Sequence, residues 1–341
     1  LSEDSGHDDF KVHRRLAALY WTAGESGRAT ELNLAATDSL LSSGLFSAAA
    51  DSIGALNVNI TDVPSRLRLR AREALALLGS GRSREALAVA DEVWRSRGLH
   101  SSPHLPDHLL AVGVSADAHV RLNRADEGPA DELVSLARSA SLSAADRARA
   151  CLIGVRLTGN LLVTNQFREF EQVSAELAPE LPSSAMLALT RLIAAAELHS
   201  ASDIIAAQRM VSQVDEKGLS ASDRCLLLRC SANALRIAGN VDAAADTAKS
   251  AAKLAEQYAM SYAASTAAEL VASILLDQLD MAGARKWIEY AAQTGTASDK
   301  PRTLTSRDHI LDRLEFAQGR FTMLASRVEA RITSARAFGV T

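Results

Sequence analysis

His100, His104 and His108, with Asp107, are the residues of this chain whose types could bind a divalent metal. A spacing of four would align the three histidines on one helix face. Pro103 and Pro106 interrupt such a helix, however, and no paired cysteines stand nearby. The segment therefore reads as a solvated loop, and no metal or other cofactor is expected. Arg66, Arg68, Arg70 and Arg72 are a denser charge cluster than any other. Arg66 with Arg70, and Arg68 with Arg72, make two edges of one helix beside an apolar line of Leu67, Ala71 and Ala74. That basic strip is either a solvated face or an anion-binding and partner-docking surface.

Other chemistry finds no support. Gly24-Glu25-Ser26-Gly27 and Gly79-Ser80-Gly81 lack the lysine and the spacing of a phosphate-cradling loop, so both read as turns between helices. Gly-x-Ser-x-Gly, His-Glu-x-x-His and Cys-x-x-Cys signatures are missing, and no catalytic residue is assigned. Cys151, Cys225 and Cys230 fall inside helical patterns and read as reduced, buried thiols of a cytosolic protein.

The elements that must position these residues repeat along the chain. A turn residue followed five positions later by a small or apolar one recurs as Gly44 with Ala49, Gly81 with Ala86, Gly239 with Ala244 and Gly319 with Leu324. Asn165 with Phe170 and Leu279 with Ala284 are less regular, and junctions near Asn123–Asp126 and His199–Asp203 fit loosely. Apolar residues at three- and four-residue spacing flank each junction, so each unit is a helical hairpin. Ser143, Ser202 and Ser222, with Asp146, Asp203 and Asp223, stand where helices start. The expected fold is all-α: a right-handed superhelix of about eight stacked antiparallel hairpins forming one domain over 1–341. Within it, 1–9 is a polar, flexible start, 10–24 an entry helix and 302–338 the final hairpin.

Composition agrees. Of the 341 residues 48% are hydrophobic but only 4% aromatic, which suits close packing of alanine-faced helices. The net charge of −4 gives no general attraction to nucleic acid, and no apolar run is long enough for a membrane span. The missing initiator Met and the unstopped helix Arg327–Arg336 suggest a segment of a longer protein.

Two resemblances follow. The hairpins resemble tetratricopeptide repeats, although they are longer and lack that family's Trp and Tyr landmarks. The run His13-Arg14-Arg15-Leu16-Ala17-Ala18-Leu19-Tyr20-Trp21-Thr22-Ala23-Gly24, with Ala29 and Leu34-Ala35-Ala36, is similar to the start of the helical sensor region in bacterial signal-transduction ATPases. The maltose-regulon-activator-like regulators with a LuxR-type DNA-binding domain belong to that family. Leu304–Asp308 also resembles a LuxR-type opening, but residues 302–338 fit an ordinary hairpin better, so no direct nucleic-acid contact is expected. Ala335–Thr341 looks like the lead-in to a diguanylate cyclase domain, which is the alternative output.

These resemblances imply a non-enzymatic, cytoplasmic sensor or scaffold that binds a protein, peptide or small effector in its concave groove, with an attached output domain outside this chain. Self-association into a homodimer is a further alternative. First helices line the groove in tetratricopeptide-like folds. Counting ten residues back from successive turns selects Arg191, Arg229, Glu269 and His309, and counting six back selects Asn233, Ser273 and Arg313.

Overall fold

The computed structural model describes residues 3–337 apart from 57–59, 61, 97, 123, 125, 127, 162–163, 182–183, 198–200, 213, 215–218 and 296–299. Every regular element among the described residues is helical. An entry helix, α1 (Glu3–Thr22), precedes eight pairs. The first four are α2 (Ser26–Ser42) with α3 (Phe46–Leu56), α4 (Val63–Gly79) with α5 (Ser83–Arg95), α6 (Leu105–Leu122) with α7 (Gly128–Arg138), and α8 (Ala144–Leu161) with α9 (Thr164–Leu177). The rest are α10 (Ala185–Glu197) with α11 (Ala201–Val211), α12 (Ala221–Ile237) with α13 (Val241–Gln257), α14 (Ser261–Asp277) with α15 (Met281–Thr294), and α16 (Lys300–Ala317) with α17 (Phe321–Ala337). None of the described helices is long and apolar enough to cross a membrane.

The turns explain the spacing. Gly81 takes φ +83°, the left-handed conformation that ends α4, and the Arg82 amide reaches back to the Leu77 carbonyl at 2.8 Å. The same six-residue closure joins Leu45 to Leu40, Asn240 to Leu235, Asp280 to Leu275 and Arg320 to Glu315. It fixes where the returning helix starts, so the residue five past the turn faces its partner. Ala49, Ala86 and Ala244 are fully buried there, as is Ala284, whereas Leu324 is half-buried. An alanine at this position brings the backbones together, and a larger side chain would cost about 1–3 kcal/mol of overpacking.

Several expectations are corrected. Helical backbone begins at Glu3, inside the start expected to be flexible. Asn165 lies within α9 rather than at a turn. The cap of α12 is Ser220, whose hydroxyl accepts from the Asp223 amide at 3.1 Å, and Ser222 lies inside the helix. Ser143 does cap α8, accepting from the Asp146 amide at 3.1 Å. The His199 junction, the middle of the Gly295–Pro301 interruption and residues 338–341 lie outside the described residues, as do the side chains of Ser202 and Asp203.

Each first helix packs on the next first helix and on the second helix before it, from α2 through α16. This stacking buries faces that one hairpin could not bury alone. The superhelix also curls onto itself. A side-chain carbon at Gly44, after α2, would stand 3.0 Å from the Tyr258 ring at the end of α13. Phe46 and Tyr258 both pack against the cluster that includes Ala221, Cys225, Ala251 and Ala255, and α6 touches α16.

Candidate functional site

That curl encloses a cavity of about 300 Å³ on the concave side. Its wall takes residues from α2, α3, α4, α6, α8, α10, α12 and α14, nearly all of them first helices. Leu78, Leu109, Val114, Leu152, Ile153 and Leu226 make most of the wall apolar. Against this background stand four arginines, Arg121, Arg149, Arg156 and Arg229, and two carboxylates, Asp117 and Asp223. The charged groups facing the cavity thus carry two more positive charges than negative.

The four arginines differ in their partners. Arg156 pairs with Asp117 at 3.1 Å; burial opposes its charge, and Asp117, together with Tyr262 and Cys230, more than offsets that. Arg149 lies 3.6 Å from Asp223 on α12. Arg121 donates to the Leu78 carbonyl at 2.6 Å, at the negative end of α4, and its guanidinium stacks 4.2 Å above the Tyr262 ring. Arg229 donates to the Thr266 hydroxyl at 2.8 Å. Arg121 and Arg229 therefore hold neutral partners among the described residues. In a largely apolar wall, an incoming anion would meet two guanidiniums not already neutralised.

Of the groove residues selected from the sequence, Arg229 lines this cavity. Glu269 is buried within α14, and Arg191 and Asn233 are half-buried on α10 and α12. Ser273 accepts from Arg313 at 3.0 Å, tying α14 to α16. Arg313 also binds Asp277 at 2.6 Å, which receives Arg236 of α12 at 2.5 Å. This strut crosses three consecutive first helices. Burial tends to raise the Asp277 carboxyl, but its two arginines hold it below its ordinary value. His309 is exposed and borders a separate recess with Leu276, Leu279, Asp312 and Phe316. The counting rule thus selects residues on α10, α12, α14 and α16, of which Arg229 alone lines this cavity. Asp117 with Arg121, and Arg149 with Arg156, stand four and seven apart on single helix faces, which is the signal that could have found them.

The basic strip is largely internal. Arg68 reaches Glu31 at 2.6 Å and Asp107 at 3.0 Å, while Arg72 reaches Asp38 at 2.7 Å and Asp107 at 2.5 Å. Arg70 pairs with Glu73 at 2.7 Å and Glu92 at 2.8 Å, and Arg66 is exposed. Burial works against the charge of Arg72, and Asp38 and Asp107 more than offset it. Five carboxylates thus surround three of the four arginines, which removes the excess positive charge an anion site needs.

Cys151 and Cys225 are buried and Cys230 is half-buried. Burial raises all three thiols, that of Cys151 to about 12, so thiolate chemistry is suppressed. The histidine segment departs from the loop expectation. Pro106 occupies the first turn of α6, where a proline is tolerated, and His108 is buried on that helix.

No family model matches the chain, and no curated protein sequence matches it. Among solved structures the chain is similar to a tetratricopeptide repeat protein from Parabacteroides merdae ATCC 43184, with 13% identity and a TM-score of 0.48 over 85% of this chain and 98% of that one. It is also similar to yeast Tom70, with 11% identity and a TM-score of 0.34 over 94% of this chain and 92% of that one.

Proposed function

We propose that this chain is a non-enzymatic sensor module that binds a small anionic effector in the cavity between its first helices. The observation that carries the reading is the pair Arg121 and Arg229, two guanidiniums with neutral partners in a mostly apolar wall. The cavity volume, about 300 Å³, is at the small end of the range for ligand pockets. The contacts of Gly44 and Phe46 with the α13–α14 corner narrow the groove, which favours a compact effector over an extended peptide. An effector that touches several first helices at once would favour one superhelical curvature and so bias an attached domain. The resemblance of His13–Gly24 to sensor regions supports reading such a module as part of a multidomain bacterial signalling or transcription regulator.

Calorimetric titration with citrate, a sugar phosphate and the matching neutral sugar tests this. Heat is expected from one or both anions and not from the neutral sugar; no heat from either anion would overturn the reading.

A second reading, self-association, rests on the last two hairpins. Leu279, Phe316 and Phe321 are 75%, 64% and 59% exposed, and the two phenylalanines meet edge to face at 5.7 Å. Sedimentation across a concentration series decides it, since a strict monomer excludes this reading.

A further inference from the structure

His108 is 1% exposed, and its Nε2 lies 2.8 Å from a carboxylate oxygen of Glu132 on α7. Its other ring nitrogen, Nδ1, is buried without a hydrogen-bond partner. That is unusual, because a buried polar atom left unsatisfied costs free energy. The exposed His100, on the segment between α5 and α6, brings its ring to 4.3 Å from the His108 ring. One ligand atom from each of His100, His108 and Glu132 lies within 4.8 Å of the others. His104 and Asp107 do not belong to this cluster; Asp107 is held by Arg68 and Arg72.

We propose that His100, His108 and Glu132 form a binding site for a divalent transition metal, with zinc the best fit to two imidazoles and one carboxylate. A tetrahedral zinc ion at bond lengths of about 2.0–2.1 Å needs its ligands roughly 3.4 Å apart. His100, the exposed member on an irregular segment, is the ligand that closes that gap, giving up the long 3.5 Å contact of its Nε2 with the Trp94 carbonyl. The fourth position faces solvent beside His100 and takes water. Three protein ligands from two helices and a connecting segment would pin that segment to α6 and α7, on a face separate from the arginine cavity.

The test uses the full chain stripped of metal with a chelator, and Co²⁺ as the probe because its visible absorption reports coordination. One Co²⁺ per chain is expected, with a spectrum of four- or five-coordinate cobalt that Zn²⁺ abolishes. His100→Ala and Glu132→Gln should each weaken binding by more than the roughly 10- to 100-fold that loss of an outer-shell partner costs, and their metal-free melting checks that the fold is intact. Absence of stoichiometric binding overturns the site. So does binding that neither substitution weakens. If one variant fails to fold, the other alone decides.

Discussion

Two groups of arginines on this superhelix, one clustered on α4 and one scattered over α6 and α12, differ in what faces them. Arg68, Arg70 and Arg72 on α4 are matched by Glu31, Asp38, Glu73, Glu92 and Asp107. Arg121 and Arg229 in the cavity are matched by a carbonyl, an aromatic face and a hydroxyl. The first group fastens α4 to its neighbours, and the second keeps positive charge that no described carboxylate pairs with. Arginine density therefore says little about binding; the number of carboxylates brought up by adjacent helices decides. Helix α6 joins both regions, with Asp107 near its start facing α4 and Arg121 near its end facing the cavity.

The largest effect that could break this comparison is at Asp107. Its removal leaves Arg68 with Glu31 and Arg72 with Asp38 but withdraws the buried carboxylate they share, and Asp107→Ala is expected to cost about 1.5–3 kcal/mol in urea unfolding. A cost within experimental error would mean that the α4 arginines are no more committed than those of the cavity.

A smaller effect tests whether α6 tolerates added positive charge. Burial holds the His119 imidazole below its ordinary value of 6.5, although Asp126 lies 3.4 Å away and opposes the shift. The unfolded chain therefore takes up a proton first as the pH falls. Stability should be unaffected by this group above 6.5 and decline below it, by at most about 1.4 kcal/mol per pH unit. His119→Gln should flatten that decline; an unchanged profile would contradict the assignment.

The smallest effect concerns the turn beside the Arg236–Asp277–Arg313 strut. Leu279 has φ +62°, a conformation that costs a branched side chain about 1 kcal/mol. Leu279→Gly is expected to raise stability by about that amount on thermal melting, leaving the strut intact. A loss of stability would show that the exposed leucine is held by contacts that outweigh its backbone strain.

The repeat was legible because its signals are local. A turn residue and a small residue five positions later mark each closure, and Gly81 with Ala86 shows both the left-handed turn and the buried contact. The cavity was not legible to the same degree. Its closure depends on Gly44 and Phe46 meeting the cluster around Tyr258, more than 200 residues away, and no spacing rule spans that separation. The partners of the α4 arginines also come mostly from other helices, so the strip could be seen while its neutralisation could not. His108 was visible as a possible ligand, but Glu132 enters only once α7 packs beside α6.

On the proposed function the cavity, and not the α4 strip, carries the positive charge open to a ligand. Thermal melting with and without citrate or a sugar phosphate, on wild type, an Arg121→Gln/Arg229→Gln double variant and Arg70→Gln, tests it most directly. An anion is expected to raise the melting temperature of wild type and of Arg70→Gln, and the double variant is expected to lose this response. An equal rise in the double variant, or loss of the response in Arg70→Gln alone, would contradict it.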